Sequence, residues 1–312
     1  MSGIQQSDGV ARGGSAGRAR RGRAEPAPMP ARLIHAMKAQ AFRNAPAICG
    51  RGREHQGHAV GFVRALLLLI ALQSPALAQS DGAGFAAGAK AAADRLQLYL
   101  DDVAKSGGRP DFAKAPAAEL FARIFDVAQL SALPPPRADD IPWLLDWIAA
   151  ASQASKAIMF FGIERPADAV AAARNAAFVR NVTDYQDQQA IELDFLIRLS
   201  ARESVAMSAF MQHLTPEQRT PIREEGLKKA RAGFAQMISG ALVSMTDERL
   251  KSTYARRVSA AMRDTGAVWV GSLLPDDRTK IVSQLQWAQL KVKDDEAQEN
   301  LAAFSAVLAA AR

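Results

Sequence analysis

Cysteine is almost absent from this chain. The single one, Cys49, lies ahead of a segment that reads as an export signal, so residues 79–312 hold no thiol. That removes disulfides, thiolate nucleophiles and cysteine metal ligands from the mature part. It also removes a lipoprotein anchor at the cut. Histidine is nearly as scarce: of four, only His213 lies beyond residue 78. Any histidine metal site or Ser-His-Asp triad would have to use it. It stands just before Leu214-Thr215-Pro216, a helix end, where a cationic ring complements the negative terminal dipole. Strand signals are missing too. No stretch alternates with period two, and neither Asp-Gly pair, Asp8-Gly9 or Asp81-Gly82, stands between two such stretches as a hairpin turn would. Residues 79–312 also lack a Glu-x-x-His pair for a di-iron bundle, a haem-attachment motif, a Gly-rich phosphate loop and a Gly-x-Ser-x-Gly elbow. These absences exclude most catalytic classes, and the chain is read as non-enzymatic with no cofactor and no metal.

What is present begins with Val63–Gln79, VRALLLLIALQSPALAQ. Arg64 supplies a positive start, Ala65–Leu72 is an unbroken apolar run of eight residues, and Pro75 breaks the helix. Ala76-Leu77-Ala78 then forms a small-x-small cleavage site. This is the build of a bacterial secretory signal peptide. The expectation is a periplasmic protein cut after Ala78, with residues 64–78 as the signal peptide. An uncleaved anchor would need about 20 apolar residues, and Gln73-Ser74-Pro75 interrupts the run well short of that. The membrane is therefore a partner only through this segment if it stays uncleaved.

Residues 1–63 are rich in Arg, Gly, Ala and Pro and have no apolar periodicity. They read as disordered. An export signal belongs at a true N-terminus, so an upstream start is favoured over a basic arm for nucleic acid or acidic lipid. Met37 and Val60 are alternative starts. Residues 1–78 hold 11 of the 39 basic and 3 of the 32 acidic residues, which leaves 28 basic against 29 acidic and a net charge of −1 for residues 79–312. The overall charge of +7 belongs to the leader, and with it goes the argument for a nucleic-acid partner.

Residues 79–312 read as helix nearly throughout. The expected fold is all-α, an antiparallel bundle of seven to eight helices in one mature part, with a linker at 131–139 around Pro134-Pro135-Pro136. Helices are placed at about 82–105, 116–130, 140–162, 167–214, 216–245, 246–272, 275–291 and 294–312, each with apolar residues at spacings of three and four. The 167–214 stretch is one helix, or two meeting near Asn181–Asp184 with Thr183 or Asp184 as N-cap.

Leu214–Thr220 (LTPEQRT) and Leu273–Thr279 (LLPDDRT) echo each other 59 residues apart. Both are natural helix starts, with Pro in the first turn and acids against the positive dipole. The segment Leu214-Thr215-Pro216-Glu217-Gln218 resembles the short Leu-Thr-x-x-Gln motif of small periplasmic stress chaperones of the Spy and CpxP type. The resemblance covers five residues, and the second copy lacks both the Thr and the Gln.

Paired carboxylates are the remaining catalytic candidates. Glu192 and Asp194 lie two apart and point in different directions on a helix. They are expected on a solvated face, with Asp194 paired to Arg198 one turn later. Among the aromatics, Trp143 and Trp147 share a helix face, and Met159-Phe160-Phe161 follow at its end. These five residues are the candidate groove for a partner or an apolar ligand. For Trp147 itself core packing is the favoured reading. The function expected is an exported interaction protein, an adaptor, scaffold or chaperone-like binder whose partner is another periplasmic or envelope protein. The alternative is a helical carrier of a small apolar ligand. An enclosed apolar cavity would favour the carrier, and a solvent-open groove would favour the interaction protein.

Overall fold

The computed structural model describes residues 81–163 and 171–310, with backbone only at 171–175. The expected leader (1–63), signal peptide (64–78) and cleavage site after Ala78 lie outside the described residues. Among the described residues every regular element is helical and no strand occurs. In chain order the helices are α1 (Asp81–Lys105), α2 (Ala117–Ile124), α3 (Val127–Ala132), α4 (Ile141–Met159), α5 (Ala171–Asp184), α6 (Gln186–His213), α7 (Pro221–Met245), α8 (Ser252–Ser272), α9 (Pro275–Lys291) and α10 (Asp295–Ala310).

Helix α1 buries Ala86, Ala89, Ala93, Leu96 and Leu100, a stripe at spacings of three and four. Its small residues let α4 lie close along it, and this is the most extensive helix pair in the fold. At one end the approach is so tight that a Cβ on Gly82 would come within 2.6 Å of the Trp143 ring. At the other end Gly107 takes a φ of 69°, a conformation that favours glycine. The amides of Gly107 and Gly108 donate to the carbonyls of Ala104 and Val103, both at 3.0 Å, and close the helix in a Schellman motif.

Several boundaries differ from the sequence expectation, each for a local reason. The helix expected over 116–130 is two, because the Asp126 carboxylate accepts the Gln129 amide at 2.8 Å and starts α3 afresh. The 167–214 stretch, described from Ala171 on, is also two. Neither Thr183 nor Asp184 caps the second. The Thr183 hydroxyl donates back to the Val179 carbonyl at 2.9 Å, and Tyr185 occupies the junction. Pro216 opens only a short 3₁₀ turn, Pro216–Gln218, since Pro221 follows and holds Thr220 extended. Helix α8 begins at Ser252, not near Thr246. There the Thr246 hydroxyl donates to the Val243 carbonyl at 2.7 Å, and the Asp247 carboxylate accepts from the backbone and guanidinium of Arg249.

The proline-rich stretch between α3 and α4 is tied down. The Arg202 guanidinium of α6 donates to the carbonyls of Leu133 and Pro134. The Asp140 carboxylate accepts the Arg137 amide at 2.7 Å and the Trp143 indole N–H at 3.0 Å. Helix α6 is the element both halves of the chain share. It packs on α3, α4 and α5 from the first half and on α7 and α8 from the second. Helix α10 covers α8, and α9 joins α7 to α10.

Candidate functional site

Where α7 leaves α6 and α8, an open groove of about 800 Å³ remains. Its shape follows from the packing. Helices α6 and α8 lie closely together, whereas α7 touches each only sparsely and packs mainly on α9. Small side chains at the α6–α8 crossing form part of the floor. Ser204 donates its hydroxyl to that of Ser272, which itself donates to the Val268 carbonyl at 2.7 Å. Helix α6 presents one stripe to the groove, Ser204, Val205, Ser208, Ala209 and Gln212. Helix α7 presents another at spacings of three and four, Glu224, Leu227, Lys228 and Arg231. The end of α8 adds Val268 and Gly271, followed by Leu274. Val205 is 36% exposed on the groove.

The groove carries three cations against one carboxylate. Arg219, in the turn before α7, donates to the Met211 carbonyl at 3.2 Å. Among the described residues no ion pair is made by Lys228, Arg231 or Glu224, although Glu225 and Lys229 pair weakly beside them at 3.8 Å. The turn that leads into α7 is the segment with the Leu-Thr-x-x-Gln pattern. Its Gln218 side chain accepts the Thr215 amide at 3.0 Å, so Gln218 acts there as a reciprocal cap.

A second chemically unusual place lies in the first half of α6. Glu192 is 1% exposed, which overturns the solvated-face expectation. The reason is that α6 is packed by helices on several sides, so its polar positions are enclosed along with its apolar ones. Glu192 Oε2 accepts from the Ser155 hydroxyl of α4 and the Gln189 amide, both at 2.8 Å. Its Oε1 is buried without a hydrogen-bond partner. Burial, opposed by those two donors, pushes the Glu192 carboxyl up to about 8. Tyr254 of α8, also buried, is pushed up by burial first and by the Glu192 charge in smaller part, and donates to the Ser244 hydroxyl at 2.9 Å.

Glu203, three turns further along α6, is pushed up to about 7 by burial alone. The two glutamates are eleven residues apart on one helix, about 16 Å by helical rise. A carboxyl pair for glycoside hydrolysis needs about 5–10 Å, so these two do not form one. Asp194 is buried as well, and Arg198 bridges it to Asp264 of α8 at 2.6 and 2.8 Å. The spacing had shown the Asp194–Arg198 pair but not its third member. Among the described residues no group of three or more His, Cys, Asp or Glu side chains is placed to hold a metal ion. His213 is exposed at the last position of α6.

The five residues expected to form a groove lie elsewhere. Trp147 is fully buried, with its indole N–H donating to the Ile124 carbonyl at 2.9 Å and its ring 5.3 Å from that of Phe195. Trp143 is buried too, 6.4 Å from Trp147 between ring centroids. Phe160 is 40% exposed at the end of α4 and stacks on Phe178 of α5, with Met159 and Phe161 half-buried beside it. Asn181 of α5 holds that end by donating to the carbonyls of Met159 and Phe161 at 3.0 and 2.8 Å. None of the five lines the open groove on α6.

Sequence reasoning passed over the groove because its walls mix Ser, Ala, Gly and long cations with only scattered apolar residues, a pattern that reads as an ordinary solvated face. The one available signal was the run of small residues at Ser204, Ser208 and Ala209 on an otherwise core-facing helix. No family model matches the chain, and no curated protein and no solved structure is similar to it.

Proposed function

We propose that this chain is an exported, non-enzymatic interaction protein of the bacterial envelope, and that it docks its partner in the groove between α6, α7 and α8. The mature part is an antiparallel helical bundle on this reading. Export rests on the build of Val63–Gln79. No helix among the described residues is long and apolar enough to cross a membrane. The single observation that supports docking is the groove itself. It is open to solvent, and its lining combines apolar, hydroxyl and charged side chains. A carrier of a small apolar ligand would enclose its cargo and bury most of its surface, so the open form favours a macromolecular partner.

Export is tested by N-terminal sequencing of the protein from its host, which should begin at Gln79. A chain that retains residues 1–63 in the cytoplasm would refute it. Docking is tested with Gly271→Trp. Gly271 lines the groove and a Cβ there meets nothing within 4 Å, so the new indole is expected to occupy the groove. Native purification from the envelope should recover a stoichiometric partner with the wild-type protein and not with this variant. Recovery unchanged in the variant would remove the groove as the docking site.

A further inference from the structure

The docking reading leaves the chemistry of the partner open, and the charge and dimensions of the groove narrow it. Along α6 the groove runs from Ser204 to Gln212, about 12 Å of helical rise. Along α7 it runs from Glu224 to Arg231, about 10 Å. Both walls are therefore about two turns long. Leu227, Val268 and Leu274 supply separate apolar contacts between them.

The cations are spread along this length. Lys228 and Arg231 stand one turn apart on α7, and Arg219 is fixed at the Met211 end by its bond to that carbonyl. A single phosphate or lipid headgroup would be met by cations gathered at one point. A spaced row of cations beside spaced apolar contacts matches a polypeptide whose own charges and apolar anchors repeat every three or four residues.

We propose that the groove receives two to three turns of an acidic amphipathic helix from a partner protein. Its apolar face lies on Leu227, Val268 and Leu274, and its carboxylates face Lys228, Arg231 and Arg219. The assignment rests on the docking reading above. Charge complementarity sets the sign and the register of the partner, and the apolar contacts hold it.

The test uses the purified protein and two fluorescently labelled helical peptides with leucines at i, i+4, i+7 and i+11. Glutamates fill the other face of one peptide and lysines that of the other. Vesicles of phosphatidylglycerol form a third arm. The expected result is binding of the glutamate peptide at least tenfold tighter than the lysine peptide. That preference should shrink as salt is raised and reverse in the double variant Lys228→Glu, Arg231→Glu. Binding should be lost in Gly271→Trp. Circular dichroism melts of the variants establish that they are folded. Equal affinity for the two peptides, or no binding of either, overturns the acidic-helix assignment. Vesicle binding that depends on Lys228 and Arg231, without binding of the glutamate peptide, overturns it in favour of an anionic surface. The docking reading itself fails separately, when Gly271→Trp leaves the native envelope complex intact.

Discussion

The two halves of α6 carry similar residues into opposite surroundings. The first half, around Glu192, Phe195 and Leu199, is enclosed by α4, α5 and α8, and its one ring, Phe195, joins Trp147 and Phe125 in one cluster. The second half, from Ser204 on, is backed by α8 but faces a groove where α7 stands off. In the closed half the large aromatics fill the space, and the Glu192 carboxyl is trapped without a countercharge, whereas the buried Asp194 is paired to Arg198. In the open half Ser204, Ser208 and Ala209 are short, and Ser204 meets Ser272 of α8 hydroxyl to hydroxyl. A polar residue on this helix is a stored cost at one end and a contact surface at the other. The difference is set by how closely the neighbouring helix approaches.

That comparison is broken most severely at Trp147. Replacing a packed core aromatic by alanine costs about 3–5 kcal/mol, and here the Ile124 carbonyl also loses its donor. Trp147→Ala should lower the melting temperature by many degrees. An unchanged denaturation midpoint would show that the closed half is not the rigid part of the molecule.

The trapped carboxyl gives the next effect. In the folded protein Glu192 titrates near 8, against an ordinary value of 4.5. A raised value means that the neutral form is the one folding favours. Its contribution is fully present below about pH 4.5 and is lost as pH rises through about 8. Glu203 adds a smaller effect of the same sign that ends near 7. Stability should therefore fall between pH 5 and 8.5, by an amount on the order of a few kcal/mol. Glu192→Gln should flatten most of that slope while keeping the Ser155 contact. A slope identical in wild type and variant, followed by urea melts across this range, would place the titrating group elsewhere.

The smallest effect belongs to the open half. Gly271 stands near the end of α8 with free space around it. Gly271→Ala should be neutral or stabilising by up to about 1 kcal/mol, since glycine is the weaker helix former. A loss of stability there would mean that the groove wall is more closely packed than its open space implies.

Much of the fold was legible along the chain. The stripe of Ala86, Ala89, Ala93, Leu96 and Leu100 marks α1, and Pro275 with Asp276 and Asp277 marks the start of α9. The buried state of Trp147 was legible too, since it sits in the richest turn of an apolar stripe. Two of the misjudged helix boundaries are places where one side chain chose between two local partners. Thr183 and Thr246 bond backward to the turn before them and do not cap the turn ahead, and the two geometries leave the same letters in the sequence. The candidate site was less legible still. Trp143, Trp147 and the Met159–Phe161 run drew attention as large aromatic and apolar groups, but such groups are the ones a core absorbs first.

The sequence by itself determined that the chain is helical, that residues 79–312 hold no thiol and one histidine, and that the net positive charge resides in residues 1–78. Those are properties of period and composition, and each is fixed within a few residues. Tertiary structure decided which polar residues are buried and where a groove opens. Ser155 and Glu192 are 37 residues apart, and Ser204 and Ser272 are 68 apart. Whether a carboxyl or a hydroxyl meets protein or water depends on helices brought in from that distance, and no local pattern records how closely they approach.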